Sequence, residues 1–410
     1  MKVICDRGAL LEAVNLVAAV VPVRTPSPQL SCVRLIASRG PQGAELTLAG
    51  SDGDTTLLIS IPQVDVTEPG QALVPADKLR QIVSAEEGEP TLTIEVTGGS
   101  DQVHIRGTNA HFRVLGYPAA EYPPVPDFQS VLAGTGREAP KTTFRHPAGL
   151  LLQLVQKTAF ATARETSRYA INGVLLKRDG KKIEMVATDG RRLAVSRTTL
   201  SGAGGGGGDK DKGASVSCIV PGKALSMIQK LVYEEDAPVR IAVTESRIYF
   251  AFDHPGADNN KEAANDAPRA LLSSSLVEGS FPPYEDVIPK DQDKKIVADR
   301  EELSSAVRKA AVLTNEESRG VRMSFSKSEK RLTLSSRAPE MGEAEINVGL
   351  NSYEGEDIEI SFNPAFITDV LKVVSDPEVI VELKAPNKPG LIRSASNDFV
   401  YVVMPVNLPS

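Results

Sequence analysis

Three stretches of this sequence resemble one another, and they decide its architecture. They read VPADKLRQIVSAEEGEPTLTIEV from Val74, VPGKALSMIQKLVYEEDAPVRIAV from Val220 and FNPAFITDVLKVVSDPEVIVEL from Phe362. In each, a proline stands where the first turn of a helix tolerates its missing N–H, an amphipathic segment follows, and an alternating segment comes next. Each stretch therefore predicts a helix and then a β-strand, and the recurrence predicts a threefold repeat.

A second helical pattern precedes each of these stretches. LLEAVNLVAAVV from Leu10, LLQLVQKTAFAT from Leu151 and LSSAVRKAAVLT from Leu303 share apolar residues at helical spacing. Between the two helices of each copy lie short alternating segments joined by turn residues, and further strands follow the second helix. A unit with two helices and many antiparallel strands is an α+β domain, so the chain is predicted to contain three tandem copies of one.

Proline-rich connectors mark the predicted boundaries between the copies. EYPPVPDF from Glu121 closes the first copy and SFPPYEDVIP from Ser280 closes the second, and strand-breaking segments of this kind suit linkers between compact domains. Residues 201–213, rich in glycine, and the polar residues 254–268 can bury little apolar area, so we interpret both as surface insertions in the second domain. The predicted domains are residues 1–135, 140–291 and 294–410.

The composition excludes a membrane protein and argues against secretion. The 410 residues are 41% hydrophobic and 24% charged, and no apolar run approaches the roughly 20 residues that span a bilayer. The segment from Ala13 to Val23 resembles a signal sequence, but its start is interrupted and no convincing cleavage site follows. Cys5, Cys32 and Cys218 lie far apart without a CxxC pair, so neither a disulfide framework nor a zinc site is predicted. A reducing cytoplasm fits best.

No arrangement of catalytic residues is evident, and we predict that the protein is not an enzyme. The run from Gly204 to Gly208 lacks the Gly-Lys-Ser/Thr ending of a phosphate-binding loop. The histidines share no metal-ligand spacing, and turn chemistry explains the Asp189-Gly190 pair. We therefore expect neither a cofactor nor a metal.

The net charge of -7, from 46 basic and 53 acidic residues, argues against a nucleic-acid partner only if charge is evenly spread. Acidic residues concentrate in the connectors and strands, whereas basic residues recur on the predicted helices. The basic helix residues are Lys78, Arg80, Lys157, Lys223, Lys230, Arg308, Lys309 and Lys372. Two interpretations stay open: each helix has an ordinary solvated face, or equivalent helices converge on one basic surface while the exterior stays acidic.

Five motifs, in order along the chain, resemble those of a known family. They are RYAINGVLL from Arg168, VATDGRRLAV from Val186, FPPYEDVIP from Phe281, NEESRGVRM from Asn315 and YVVMPVNL from Tyr401. In these motifs and in its triple repeat, the chain resembles bacterial DNA polymerase III beta subunits, the beta sliding clamps. The resemblance implies the DNA clamp fold, in which the helices of three domains line a central hole and a head-to-tail dimer closes a six-domain ring.

The resemblance also implies a function. A ring threaded by duplex DNA needs only weak, sequence-independent contacts with phosphates in order to slide, and it tethers the replicative polymerase and other DNA-processing proteins for processive synthesis. The implied partners are duplex DNA, a second copy of the chain, the catalytic subunit of the polymerase, an ATP-dependent clamp loader and other proteins with clamp-binding peptide motifs. The implied location is the cytoplasm, at the nucleoid. Two alternatives stay open: a repeat scaffold without a DNA role, and an enzyme whose site is split across domains.

Matching positions imply three sets of site residues. DNA contacts are implied for Arg24, Arg168, Tyr169 and Lys223. The charge pattern of the helices adds Lys78, Arg80, Lys157, Lys230, Arg308 and Lys309 to this set. A groove for partner peptides is implied at Ile171, Thr188, Gly190, Arg191, Arg192, Leu193, Pro282, Val287, Val402, Val403, Met404, Pro405 and Val406. A dimer interface is implied between Phe112 and Val114 on one side and Val312 and Leu313 on the other. For the apolar residues of the last two sets, the alternative is ordinary domain core.

The sequence departs from the family pattern at several places. Ala170 stands where some relatives carry a second tyrosine, which weakens an aromatic contact with single-stranded template. Asp286 stands where an arginine is common, and Asn407, Pro409 and Ser410 alter the usual ending. These departures leave the preferred partner peptide open.

Overall fold

The structure is a computed structural model, which describes residues 1–40, 43–97, 101–163, 165, 169–199, 215–254, 267–314, 320–338 and 342–408. The predicted insertion at 201–213, most of the one at 254–268, and Arg168, Pro409 and Ser410 lie outside the described residues. Within those ranges, no helix is long and apolar enough to cross a membrane.

The helices are short, and several of them begin at a side-chain cap. Asp6, Asp299 and Asn363 each accept a hydrogen bond from a backbone N–H in the first turn of the helix that follows, which satisfies groups that helix geometry leaves unpaired. Pro364 is the first residue of its helix, whereas Pro75 and Pro221 end the preceding strand. The helices are α1 (Arg7–Ala18), α2 (Ala76–Ala85), α3 (Phe128–Leu132), α4 (Ala148–Thr158), α5 (Gly222–Leu231), α6 (Arg300–Ala311) and α7 (Pro364–Val373).

The strands are distributed over the three repeats as follows. The first repeat contains β1 (Lys2–Asp6), β2 (Cys32–Gly40), β3 (Gly43–Ser51), β4 (Thr55–Ile61), β5 (Val64–Glu68), β6 (Gly70–Pro75), β7 (Thr91–Val96), β8 (Gln102–Arg106) and β9 (His111–Leu115). The second contains β10 (Thr142–Pro147), β11 (Gly173–Asp179), β12 (Lys182–Thr188), β13 (Arg192–Thr199), β14 (Ser215–Pro221), β15 (Pro238–Val243), β16 (Arg247–Phe252) and β17 (Ala270–Ser275). The third contains β18 (Lys294–Asp299), β19 (Val321–Ser326), β20 (Arg331–Ala338), β21 (Gly342–Gly349), β22 (Ser352–Glu354), β23 (Ile358–Phe362), β24 (Glu378–Leu383), β25 (Gly390–Arg393) and β26 (Phe399–Val403).

Each repeat builds two antiparallel sheets with the same strand order. The first strand pairs with the strands after the second helix, in the orders β1-β7-β8-β9, β10-β15-β16-β17 and β18-β24-β25-β26. The strands between the two helices form β6-β2-β3-β4, β14-β11-β12-β13 and β23-β19-β20-β21. One backbone hydrogen bond also recurs, from the first residue of the first helix to the residue before the strand after the second helix. It joins Arg7 to Pro90 (3.0 Å), Ala148 to Ala237 (2.8 Å) and Arg300 to Pro377 (2.9 Å). The predicted α+β triple repeat is confirmed.

Sheets of neighbouring repeats join at two places. At the first junction, β17 of the second repeat pairs with β4 of the first, from Ala270 opposite Ile59 to Ser274 opposite Thr55. At the second junction, β26 of the third repeat pairs with β13 of the second. The chain accordingly divides into two compact units, and each contains one junction. They comprise Met1–Leu151 with Lys223–Leu276, and Leu152–Leu200 with Ser215–Gly222 and Val277–Ser410.

The core of each unit lies between helix faces and sheet faces. Leu10, Ala13, Val14 and Val17 form the buried stripe of α1, and α6 buries Leu303, Ala306, Val307 and Ala310 at the same spacing. This period of three and four residues places all four side chains on one side of a helix. Strands such as β1 and β8 alternate between buried residues and half-buried or exposed ones, so one face of each is left for solvent. By contrast, β26 is buried throughout.

His146 is a buried titratable group in β10 of the first unit. Burial lowers its pKa from 6.5 to about 4, because the interior solvates the imidazolium poorly. Between these pH values the unfolded chain binds a proton that the folded chain does not, so stability falls as the pH falls.

The expected loss at His146 is about 2 kcal/mol between pH 7 and pH 5. Denaturant unfolding should therefore depend less on pH in His146→Phe than in the wild type over this window. Parallel pH profiles for the two proteins would show that His146 does not titrate in this way.

Candidate functional site

The second junction brings the core of the predicted groove together within one unit. Leu193 lies opposite Val402 in the β13–β26 ladder, and the backbone N–H of Met404 donates to the carbonyl oxygen of Arg191 (2.9 Å). Leu193 and Val402 are buried, whereas the side chains of Met404 and Val287 are 40% and 47% exposed. This part of the unit therefore has buried apolar residues beside two exposed ones.

The remaining groove residues differ in exposure. Thr188 and Val403 are buried, and Val403 lines a small internal cavity of the third repeat. Gly190 has a φ of 85°, which favours glycine, and its N–H donates to the Thr188 hydroxyl (3.1 Å). This is the Thr-Asp-Gly turn that the sequence predicts between β12 and β13. Gly190 and Arg191 are exposed, and the half-buried residues are Ile171, Arg192, Pro282, Pro405 and Val406.

Arg192 is a structural anchor. Its guanidinium donates to Asp189 (3.0 Å), to Asp369 on α7 (2.8 Å) and to the carbonyl oxygen of Phe160 (2.8 Å). It also lies 4.6 Å from the ring centroid of Phe366. Burial is the largest single effect and opposes the charge, but the hydrogen bond with Asp369, together with Tyr401 and Asp189, outweighs it and raises the pKa of Arg192. With its side chain only 10% exposed, Arg192 holds the turn before β13 against α7.

The connector that follows the second repeat lies on the same sheet. Phe281, Tyr284 and Ile288 pack on the apolar cluster that contains Leu193 and Val402. Tyr284 is buried, and a short 3-10 turn at Glu285–Val287 follows it directly. The proline pair in this connector predicted a linker, but it did not predict that the tyrosine is buried.

The equivalent surface at the first junction is polar. The Ser51-Asp52-Gly53 and Thr188-Asp189-Gly190 turns precede β4 and β13 at the same distance, which makes the two junctions directly comparable. The residues equivalent to Leu193, Val402 and Met404 are Thr56, Ser273 and Ser275. Arg247 donates there to the hydroxyls of Ser273 and Ser275 (3.0 Å each) and to the carbonyl oxygen of Asp54 (2.8 Å). An apolar ligand would have to displace this guanidinium and its hydrogen bonds, which is costly.

Most of the predicted DNA-contacting residues are at the surface. Tyr169 is exposed, and Arg168 lies outside the described residues. The exposed basic residues of this set are Arg24, Lys78, Arg80, Lys223, Lys230, Arg308 and Lys309.

Three lysines of the set have carboxylate partners in their own chain, and one of them, Lys78, pairs with its exposed neighbour Asp77 (3.6 Å). Lys157 is only 13% exposed and forms an ion pair with Asp398 (3.2 Å), while its ammonium lies 5.9 Å from the ring centroid of Phe399. Lys223 forms an ion pair with Asp52 (2.5 Å). The charge pattern of the helices did not indicate either pair. Lys157 therefore does not project from its helix as a free cation.

The residues of the predicted dimer interface lie on the edge strand β9 and at the end of α6. β9 and β21 are terminal strands of their sheets. On β9, Phe112 is half-buried and Val114 is buried. At the end of α6, Val312 is 73% exposed and Leu313 is half-buried. Val312 is thus an exposed apolar side chain that the fold of a single chain leaves uncovered.

The described residues contain no group of three or more His, Cys, Asp and Glu side chains arranged to hold a metal ion. Cys5, Cys32 and Cys218 are buried thiols that are not joined in disulfides. Burial raises the pKa of Cys5 to about 12, so that thiol is a weak nucleophile at neutral pH.

Comparison with known proteins identifies the family. Sequence models of the DNA polymerase III beta subunit match residues 1–126 (N-terminal domain), 147–283 (central domain) and 285–407 (C-terminal domain). The beta sliding clamp of Pseudomonas aeruginosa is 32% identical over 404 residues, which cover 98% of this chain and 99% of that protein. The beta sliding clamp of Escherichia coli K12 is 29% identical over 409 residues, which cover 100% of both. Crystal structures of the clamps from Pseudomonas aeruginosa and Bacillus subtilis match over 100% of both chains, with TM-scores of 0.84 and 0.85 at 31% and 26% identity. The chain therefore belongs to the DNA polymerase III beta subunit family, the beta sliding clamps.

Proposed function

We propose that the chain works as a homodimeric ring that encircles duplex DNA and tethers a replicative DNA polymerase to it. The observation that carries this proposal is the match to the sliding-clamp family along the whole chain, through all three repeats. The family is a processivity subunit without catalytic residues, in agreement with the expectation that the chain is not an enzyme.

Sequence-independent contact with DNA is assigned to the exposed basic residues. Weak attraction to phosphates suffices for a ring held by topology, since tight binding would slow sliding. Lys157 is omitted because its ammonium is paired and largely buried. The proposed contacts are Arg24, Lys78, Arg80, Lys230, Arg308, Lys309, Arg168 and Tyr169, with Lys223 as a weaker member because Asp52 neutralises it.

The proposal that the ring closes rests on the edge strands of the sheets. At each junction the last strand of one repeat pairs with the strand that ends the other sheet of the preceding repeat, β17 with β4 and β26 with β13. By the same rule, the edge strands β9 of the first repeat and β21 of the third are the two that are left to pair between chains. A second copy supplies both in a head-to-tail dimer, and a closed ring then covers edges that otherwise invite aggregation.

The second junction also predicts the register of that contact. In the β20–β21 hairpin, Arg337 and Glu343 pair at the position that Thr188 and Leu193 occupy in the β12–β13 hairpin. In the β8–β9 hairpin, Ile105 and Phe112 pair at the position that Ile392 and Tyr401 occupy in the β25–β26 hairpin. The Leu193–Val402 pair then corresponds to Glu343 opposite the partner's Arg113. The Val195–Val400 pair corresponds to Glu345 opposite the partner's His111. Opposite charges facing each other across an antiparallel pair stabilise it.

The inner side of the proposed interface is apolar. At the second junction, the rings of Phe160 and Tyr401 lie 5.8 Å apart between centroids. The repeat places Val312 at the position of Phe160 and Phe112 at the position of Tyr401. The dimer thus brings the exposed Val312 onto the partner's Phe112, the same two sets of residues that the family resemblance implies.

Partner proteins are assigned to the surface of the second junction, with its apolar residues Leu193, Val402, Met404 and Val287. An apolar surface with polar groups at its edge suits a short apolar peptide, and the flexible Met404 side chain adapts to different partners. We propose that the polymerase, the clamp loader and other clamp-binding proteins share this groove, in the cytoplasm at the nucleoid. At the first junction, Arg247 occupies the equivalent surface, which supports the proposal of one groove per chain.

Retention on circular DNA tests the proposed function. After loading onto nicked circular duplex by a bacterial clamp loader with ATP, the protein is expected to co-elute with the DNA at raised salt. Cutting the circle should release it, because a ring slides off a free end. Equal loss from circular and linear DNA would indicate ordinary electrostatic binding, and no retention on either would favour the scaffold without a DNA role.

A further inference from the structure

We propose that Tyr284 is a positioning residue for the peptide groove. Its hydroxyl forms hydrogen bonds between the connector after the second repeat (residues 281–288) and a row of charged residues on the sheet. These hydrogen bonds keep the groove residues Pro282 and Val287 in position. The inference rests on the proposed function of the groove, and the experiment below separates the failure of one from the failure of the other.

The charged row crosses three strands. Lys177, Glu184 and Arg197 lie directly opposite one another on β11, β12 and β13, and the Arg197 guanidinium donates to Glu184 (2.6 Å). The Tyr284 hydroxyl donates to the other carboxylate oxygen of Glu184. The Lys177 ammonium donates to the same hydroxyl (3.1 Å) and lies 5.1 Å from the ring centroid of Tyr284. The hydroxyl is thus both donor and acceptor, which restricts its position in two directions.

The other contacts of the connector are the apolar packing of Phe281 and Ile288 and an exposed ion pair between Glu285 and Lys177 (3.2 Å). In the described chain, residues 281–288 join no sheet, and Pro282 and Pro283 have no backbone N–H to donate. The carbonyl oxygen of Tyr284 accepts the N–H of Val287 (3.1 Å) and closes the turn that presents Val287. Tyr284 therefore stands between the two groove residues of the connector and fixes both.

The hydroxyl keeps its proton throughout the physiological range. Burial, followed by the hydrogen bond to Glu184, raises the pKa of Tyr284. The donor to Glu184 is consequently always available, and the groove is ordered before a peptide arrives. A preformed site avoids the entropic cost of ordering the connector on binding, and this advantage appears mainly in the dissociation rate.

The test compares peptide binding in variants of the full-length protein. A fluorescein-labelled Gln-Leu-Ser-Leu-Phe peptide is the probe. Tyr284→Phe removes only the hydroxyl and is expected to weaken binding about fivefold, the size of one net hydrogen bond, chiefly through faster dissociation. Glu184→Gln keeps an acceptor for the hydroxyl and is expected to retain most of the affinity.

The matched control is Tyr249→Phe. Tyr249 is also a buried tyrosine, but its apolar cluster belongs to the first unit and contains none of the groove residues. Its variant should bind the peptide as the wild type does. A loss in Tyr249→Phe equal to that in Tyr284→Phe would mean general loosening and would overturn the assignment.

Met404→Ala separates the two proposals. If the wild type binds and Met404→Ala binds weakly, the groove is correct, and unchanged binding by Tyr284→Phe then overturns the positioning role alone. If the wild type does not bind, or Met404→Ala binds as tightly as the wild type, the groove is misplaced and the role of Tyr284 falls with it.

Discussion

A glutamate in place of Phe112 is expected to convert the dimer into a monomer at micromolar concentration. In the proposed interface, Phe112 packs against Val312 of the partner subunit, and a carboxylate there would be buried without a partner. Such burial costs about 4 kcal/mol, or roughly a thousandfold in the dissociation constant of the dimer. Gel filtration with light scattering should give about twice 43.7 kDa for the wild type and about 43.7 kDa for the variant. A variant that remains dimeric under dilution would place the interface elsewhere.

Charge reversal on the outer side of the interface tests the register. Arg113→Glu should weaken the dimer less than Phe112→Glu, because it sets two carboxylates opposite each other at a solvated edge. Adding Glu343→Arg restores opposite charges and should recover most of the affinity, whereas Glu343→Arg alone should weaken it. If the double variant is no better than the two single ones, these strands do not pair in this register.

Removal of the Arg192 side chain is expected to destabilise the second unit by about 4 kcal/mol. Arg192→Ala removes the guanidinium that donates to the carboxylates of Asp189 and Asp369 and to the carbonyl oxygen of Phe160. Asp189 then keeps only backbone N–H donors, and Asp369 keeps the more distant Lys372 (3.5 Å). Breaking a largely buried ion pair by removing one partner typically costs about 3–5 kcal/mol, and the stacking on Phe366 is lost as well. Guanidinium unfolding followed by circular dichroism should show the transition of this unit at lower denaturant.

Arg191 provides the matched control for Arg192. The neighbouring side chain is exposed, so Arg191→Ala should change stability by no more than about 0.5 kcal/mol. Arg192→Lys should lie between the two, because a lysine keeps the charge but not the planar fork that reaches three acceptors. Similar stabilities for Arg191→Ala and Arg192→Ala would show that the network contributes little.

Much of the fold is predictable from the sequence because it depends on local periodicity. The apolar spacing in α1, α4 and α6 predicts the first helix of each repeat, and the Thr-Asp-Gly turn predicts the hairpin between β12 and β13. The five-residue helix α3 was not predicted. It is too short to show a helical period, and its Phe128 belongs to an apolar cluster with Tyr249 and Leu271, which are distant in sequence.

The candidate site is less predictable, because its character depends on long-range pairing. Lys157 has the same position on its helix as Lys309, yet only Lys157 has an ion-pair partner described in the structure, Asp398, 241 residues away. Likewise, Arg192 and Arg191 are adjacent arginines in the sequence. Only the packing of Asp369 and Phe366 makes Arg192 a structural residue, whereas Arg191 stays exposed.

The sequence by itself determined the threefold repeat, the two helices of each copy and the family, because these properties lie in spacing and motifs along the chain. The tertiary structure decided which strands end their sheets, which basic residues are already paired, and which of the two junctions is apolar. The physical reason is that each of these properties belongs to a contact between residues of different repeats. The same turn precedes β4 and β13, but Ser273 meets Thr56 at one junction and Val402 meets Leu193 at the other.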